Sequence, residues 1–431
     1  MCVRVLSGRL RSAVRLFEFT DRNLDSEASP EPAALAWIRA GWQPLIGRDR
    51  RPIGVRLTVN RAGDGAELPT LSALLDALLA AFVSESDGES VFPHGLIVLS
   101  PQGIDFDAAM SGWNAPRNVL LELGQCDLDD ERRLRQMFEI QKQGVRIALR
   151  LDEPGAPALE RLQGFQYLVG RSPQLLLPTV DPKRYSILAL DAATHEQVDA
   201  SFNAGAHATV GWPLLAIQQR EPRGLSPAQA AVFELIRLVQ SDADVRDLER
   251  VFKAEPLLAY LLLTLANSAA YRRPTPVASL GHAISLLGYQ RLIKWLVLLL
   301  AIAGKDKSTT PLVYVAVARG YLIENLCAAA GRTRAERDEG FVVGAFSLLD
   351  AITGQSLNEL LQDIRLPEAV VDALLSATGP FAPLLEIARG FEAADPLALV
   401  RVKAALHLNP VEANRALLQA LAAADALQAL M

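Results

Sequence analysis

Residues 255–288 read EPLLAYLLLTLANSAAYRRPTPVASLGHAISLLG, and this stretch decides the second half of the chain. Pro256 opens an apolar run that closes on the polar pair Asn267-Ser268. Such side chains suit the end of a helix, where the last carbonyls have no intrahelical donor. Tyr271-Arg272-Arg273-Pro274 breaks the run and forms a connection. Ser279 is placed to cap the next helix, and Gly288 lets the chain turn sharply at its end.

Working outward, Ser226-Pro227 has the form of an N-cap followed by proline at the first helical position. Val232, Leu235, Ile236 and Val239 then share one helical face, and Val245, Leu248 and Phe252 repeat the pattern. Gly288–Ala303 is the most apolar helix and reads as core. An all-α domain is therefore expected over 221–431, with Glu221–Gly224 as its linker.

Before residue 220 the pattern changes. Candidate strands are Gln43–Ile46, Ile53–Val59, Leu96–Leu99, Asn118–Leu123, Arg146–Leu151, Ser186–Leu190 and Ala208–Gly211. Helical stretches, notably Leu71–Phe82 and Asp129–Gln143, lie between them. This alternation predicts parallel βαβ units closing into a barrel over 37–220. Gly47-Arg48-Asp49-Arg50 reads as a hairpin turn between the first two strands. Residues 1–36 have a mixed pattern and are expected to form an N-terminal segment packed on the barrel.

The composition narrows the chemistry. The 431 residues suffice for two or three domains. With 50% hydrophobic and 21% charged residues, a disordered chain is excluded. Lys+Arg number 43 against 49 Asp+Glu, a net charge of −6 that argues against a nucleic-acid partner. Cys2, Cys126 and Cys327 form no C-x-x-C pair, so a structural zinc or thioredoxin-like motif is not available. Their sparseness suits a reducing compartment, and a cytoplasmic protein is expected. Arg4, Arg9, Arg11 and Arg15 accompany no signal-type apolar run. The apolar stretches Pro256–Tyr271 and Trp295–Gly304 are polar-interrupted or short, so they read as buried helices and no membrane contact is expected. Phosphate-binding glycine motifs and a G-x-S-x-G elbow are absent. Asp127, Asp129, Asp130 and Glu131 read as carboxylates at a helix start, as does Thr194-His195-Glu196. Arg272, Arg273 and Lys294 read as a solvated connection.

The run quoted above resembles the core signature of the HDOD domain over about residues 225–400. The signature positions are Asn267, Ser268, Tyr271, Ser279, Ala283, Ile284, Leu287 and Gly288. The resemblance implies a helical module of bacterial signalling proteins, related to the HD phosphohydrolases. Those enzymes hold metals with a His-Asp pair and further His and Asp residues. Here Ser347 and Leu348 occupy the positions of that pair, and Asp350 alone cannot replace it. His282 and His407 lack a partner at ligand spacing.

The strand-rich half resembles the EAL-type cyclic-di-GMP phosphodiesterase domain. Gln43-Pro44-Leu45-Ile46-Gly47-Arg48-Asp49 resembles its opening strand, and Ile53–Leu57 the strand bearing its Glu-Ala-Leu motif. The resemblance implies a two-cation site built from carboxylates at strand ends, because hard divalent cations demand anionic oxygen ligands. The motif Glu corresponds to Arg56, and the Glu of a central strand survives as Glu122. A paired Asp falls at Arg150-Leu151, or at Asp152-Glu153 with a shift of two. The late Glu pair falls near Leu190 and Ala193, and a substrate-side Gln at Val210. Arg56 and Arg150 would bring positive charge to a metal site, and they read as solvated or ion-paired residues at the barrel mouth.

The expectation is thus a degenerate EAL-like β/α barrel followed by an HDOD domain. No metal, cofactor or catalytic residue is expected. On this reading the chain is a pseudoenzyme and scaffold that acts through contacts with other signalling proteins. The alternatives are a cyclic-di-GMP receptor that binds without hydrolysis and a residual metal-dependent phosphodiesterase.

Overall fold

The structure is a computed structural model that describes residues 33–62, 69–82, 84–86, 89–91, 95–103, 110, 113, 115–124, 130–151, 164–171, 181–190, 192–211, 226–267, 277, 279–303, 309–362 and 366–428. The expectations for residues 1–32, and those for Cys126, Asp127, Asp129, Asp152, Glu153, the linker Glu221–Gly224, Ser268 and Tyr271–Pro274, fall outside these residues.

Eight of the described strands close into a barrel. They are β1 (Ile38–Gly47), β2 (Pro52–Arg61), β5 (Leu96–Pro101), β6 (Val119–Gly124), β7 (Arg146–Leu151), β8 (Tyr167–Arg171), β9 (Ser186–Leu190) and β10 (Ala208–Val210). A short hairpin, β3 (Ser84–Ser86) with β4 (Glu89–Val91), stands outside it. Strands β2 to β10 of the barrel run parallel, so their C-terminal ends share one mouth. Strand β1 is the exception: it is antiparallel to β2, as the hairpin reading of Gly47–Arg50 requires, and also antiparallel to β10. A tight turn returns the chain to pair with itself, whereas a parallel partner would need a crossover. The N-terminal end of β1 therefore lies at the same mouth. The barrel interior is packed by Leu45, Val98, Leu120, Ala148, Val169, Leu188, Ala208 and Val210.

Helices α1 (Leu71–Phe82), α2 (Glu131–Lys142) and α3 (His195–Asn203) accompany the barrel. Asp130 caps α2, accepting from the backbone of Arg132 and Arg133. Thr194 and Gln197 form a reciprocal capping box on α3, so the Thr194-His195-Glu196 segment is a helix start.

The described elements from residue 226 onward are all helical. In order they form α4 (Pro227–Gln240), α5 (Val245–Ala254), α6 (Pro256–Ala266), α7 (Leu280–Leu287), α8 (Tyr289–Ala303), α9 (Thr310–Ala329), α10 (Arg334–Phe346), α11 (Leu349–Thr353), α12 (Leu357–Gln362), α13 (Glu368–Val371), a π-helical turn, α14 (Ala382–Glu392), α15 (Ala398–Leu406) and α16 (Pro410–Gln428). Ser226 caps α4 with Gln229, and Thr333 caps α10 with Glu336, each in a capping box. The longest apolar helix is α9, which interrupted hydropathy hides in the sequence. It is long and apolar enough to cross a membrane, and 83% of its most apolar window is buried inside the protein.

One apolar core runs from the outer layer of the barrel into the helical bundle. Helix α16 packs on α1, β1, β2 and the 3-10 turn Ala33–Trp37, while α9 and α14 also reach β1. Trp42 meets Tyr314 edge to face at 6.2 Å. Two buried polar side chains of α16 join the halves. Asn414 accepts from the Ala40 N–H at 3.2 Å and donates to the carbonyls of Ile38 and Leu35 at 2.9 and 3.0 Å. Its amide thus imitates a neighbouring strand where β1 extends past β10. Asp425 accepts from the Gly95 N–H at 3.1 Å.

Candidate functional site

Side chains alternate along a strand, so Arg56, Ser100, Glu122 and Arg150 all point into the barrel near the C-terminal ends of β2, β5, β6 and β7. They form one cluster. Arg56 holds Glu122 with two parallel bonds, Nε to Oε2 and Nη2 to Oε1, both 2.6 Å. Oε1 also accepts from the Ser100 hydroxyl at 2.8 Å and from Arg150 Nη1 at 3.1 Å. Around this core, Arg56 donates to Ser100 Oγ at 3.0 Å and to Thr58 Oγ1 at 3.2 Å, and Gln102 donates to Ser100 Oγ at 2.8 Å.

Glu122 is 0% exposed and Arg56 only 9%. Burial pushes the Glu122 carboxyl up, but the bonds and charge of Arg56, with Ser100 and Arg150, outweigh it and hold the group below its usual range. The Arg56 side chain is therefore not solvated; it is an ion-paired wall of the barrel interior.

Among the described residues, the other positions matched to the barrel's ligand set, Leu190, Ala193 and Val210, do not join this cluster. Leu190 ends β9 and packs against the apolar interior, and Val210 is part of that interior. Ala193 lies ahead of α3, its backbone N–H bonded to Gln197. A cation pair does not fit here. Four donors already occupy the Glu122 oxygens, a guanidinium lies against them, and among the described residues no group of three His, Cys, Asp or Glu converges.

A second buried cluster occupies the matching place in the helical half. Ser347 ends α10, and its hydroxyl donates to the Gly344 carbonyl at 2.7 Å. It also accepts from Arg319 Nη1 at 2.7 Å. Arg319, 2% exposed, grips Glu392 of α14 through Nε and Nη2 at 2.8 and 2.7 Å. Leu348 is buried apolar core beside it. Neither Arg319 nor Glu392 stands out in the family motifs. A charge in the middle of the apolar run 310–329 is the sequence signal that would have found Arg319, because such a charge needs a buried partner.

Lys294 also differs from the solvated residue expected. It lies within α8, 7% exposed, with its ammonium 2.5 Å from Glu324 and 3.5 Å from Asp338. A buried ammonium persists only where carboxylates compensate its lost hydration. Burial pushes the Glu324 carboxyl up, and Lys294 only partly opposes this.

The signature residues shape the bundle. Asn267 donates to the carbonyls of Leu263 and Val277 at 2.8 and 2.7 Å and accepts from the Val277 N–H at 2.6 Å. It therefore pins both ends of the connection that follows α6. Ser279 caps α7, and Ala283, Ile284 and Leu287 are its buried face. Gly288 ends α7 at φ +73°, a conformation other residues rarely adopt.

The match that decides the helical half lies on these elements. Residues 225–369 match the HDOD domain family. Among curated proteins, the chain is 27% identical over 213 residues to the cyclic di-GMP phosphodiesterase CdgJ of Vibrio cholerae serotype O1, covering 49% of each protein. It is 25% identical over 167 residues to the uncharacterized protein YuxH of Bacillus subtilis, covering 37% of this chain and 40% of that protein. The chain thus spans half or less of the length of these curated relatives. A solved structure titled as the PaMucR phosphodiesterase in complex with c-di-GMP aligns with a TM-score of 0.27 at 14% identity, over 40% of this chain and 89% of that one. At that score it carries no argument here. The helices beyond residue 369 include those that hold Glu392, Asn414 and Asp425.

Proposed function

We propose that this chain is a non-catalytic component of cyclic-di-GMP-related signalling, in which a degenerate EAL-like barrel and an HDOD-matching bundle serve as surfaces for other signalling proteins. The observation that carries this reading is the saturation of Glu122 by Arg56, Ser100 and Arg150. A carboxylate whose oxygens already accept four donors has little left to offer a cation, and Arg56 adds a repelling charge. The HDOD match and the CdgJ likeness support the signalling context. The test is hydrolysis of cyclic di-GMP by the full chain in Mg²⁺ or Mn²⁺. No turnover is expected. Turnover that Arg56→Ala abolishes would overturn the reading in favour of a phosphodiesterase.

A second reading, a receptor that binds cyclic di-GMP without cleaving it, draws on the inward placement of Arg56 and Arg150, whose guanidinium groups suit phosphate. Calorimetry separates the two. No heat of binding at ~100 μM ligand removes the receptor, since signalling receptors need far tighter affinity.

A further inference from the structure

The two buried Arg–Glu clusters are joined by a short chain of direct contacts. Glu392, held by Arg319, is the last residue of α14. The turn that follows is tightly built. Ala394 adopts φ +51°, the Asp395 N–H donates to the Gly390 carbonyl at 2.8 Å, and the Asp395 carboxylate binds Arg401 at 2.7 Å. This turn rests on β1 at Gly41. A Cβ at Gly41 would lie 2.5 Å from Ala394 Cβ, 2.7 Å from its Cα and 3.2 Å from the Phe391 carbonyl oxygen. Only a residue without a side chain permits this approach. Gly41 in turn pairs with Thr58 of β2. Thr58 Oγ1 accepts from Arg56, which holds Glu122.

We infer that the barrel mouth and the helical cluster form one coupled device, with the Gly41–Ala394 contact as its joint. Loosening either Arg–Glu pair loosens the other. The path runs Ser347, Arg319, Glu392, Ala394, Gly41, Thr58, Arg56, Glu122; each step is a contact or a strand pairing, except that Glu392 and Ala394 are joined through the backbone of the turn. A ligand or partner that disturbs one cluster is thereby reported at the other, about half the sequence away. This goes beyond the proposed function, because the coupling holds whether or not the barrel turns over substrate. Coupling of this kind is reciprocal by thermodynamic necessity.

The experiment is hydrogen exchange read by mass spectrometry on the full chain. Glu392→Gln is expected to speed exchange at 391–397 and also at 38–42 and 56–60, by about two- to thirtyfold, the range for residues along a coupled path. Strand β8, on the far side of the barrel and carrying no member of either cluster, should be unchanged. Arg56→Lys is expected to speed exchange at 391–397. Changes confined to the half that carries the substitution would overturn the inference. Gly41→Ala acts at the joint and leaves both ion pairs chemically intact. It must speed exchange on both sides of the contact, and a response in β1 and β2 alone refutes the coupling even where Glu392→Gln fails to fold.

Discussion

The barrel and the helical bundle answer one problem, a polar site inside an apolar core, with the same trio of residue types but different charge. In the barrel, Arg56, Ser100 and Glu122 come from three adjacent strands, and Arg150 adds a second cation. In the bundle, Arg319, Ser347 and Glu392 come from three helices, and no second cation bonds that carboxylate among the contacts described. The barrel cluster is therefore net positive, while the bundle pair is neutral. The first sits among strands already tied by backbone bonds. The second ties together elements that are far apart in sequence, so its loss should propagate further.

Single substitutions test this most severely. Arg319→Met strands the buried Glu392 carboxylate and should cost about 3–5 kcal/mol in denaturant unfolding, whereas Arg56→Met leaves Glu122 with Arg150 and Ser100 and should cost less. Equal, small losses below 1 kcal/mol would mean that the carboxylates find water and that the burial argument fails. Paired apolar replacements separate the clusters. Arg319→Met with Glu392→Leu should restore most of the loss, since a buried ion pair is often no better than a well-packed apolar pair. Arg56→Met with Glu122→Leu should restore less, because Arg150 still loses its carboxylate.

Removing the Asn414 amide is a smaller perturbation. Asn414→Ala leaves the Ala40 N–H and the Ile38 and Leu35 carbonyls without these bonds, and should cost about 1–3 kcal/mol per group left unsatisfied. Calorimetry should then show the barrel and bundle unfolding as more separate transitions.

Acid distinguishes Glu122 from Glu324. Glu122 is held below the ordinary 4.5, so its contribution is present above pH 4.5 and is lost as the pH falls through its lowered value. Glu324 is raised above 4.5, so its contribution is present below pH 4.5 and is lost as the pH rises through the raised value. The stability gap between wild type and Glu122→Gln should therefore shrink on acidification, and that of Glu324→Gln should not follow it. Denaturant midpoints across a pH series read both. The smallest effect concerns Cys327, which burial pushes up to about 12. Its thiol should react with a thiol-specific reagent near neutral pH only after unfolding.

Much of this architecture can be read from periodicity and punctuation. Arg146–Leu151 and Ser186–Leu190 are strands with the boundaries their β-branched and leucine-rich runs predict. Strand β8, Tyr167–Arg171, is not legible, because only its Tyr-Leu-Val core carries strand propensity. The first half of β1 escapes as well. Its residues pair only with β2 and pack against helices from the other domain, so their pattern is set by tertiary contacts. Direction, by contrast, is legible, from the strand–helix alternation that makes parallel units and from the Gly47–Arg50 turn that reverses β1 into β2. At the site, Arg56, Glu122 and Arg150 are legible as positions in a familiar pattern. Their mutual pairing is not, because it depends on which strands lie side by side. Arg319 and Glu392 stand 73 positions apart, and no local signal joins them.

The Asn414 clasp has a consequence for synthesis. Its partner N–H on β1 lies 374 positions earlier, and Asp425 reaches back 330 positions to Gly95. As the chain leaves the ribosome, β1 and β2 emerge well before α16, so the edge of β1 stays open until α16 is made. Domains that emerge first usually fold first, but here β1 is sealed by a side chain 374 positions later. During that interval the open edge is a template for pairing with other chains. A nascent chain stopped before Pro410 should accordingly aggregate through β1, and adding residues 410–428 in trans should suppress that aggregation.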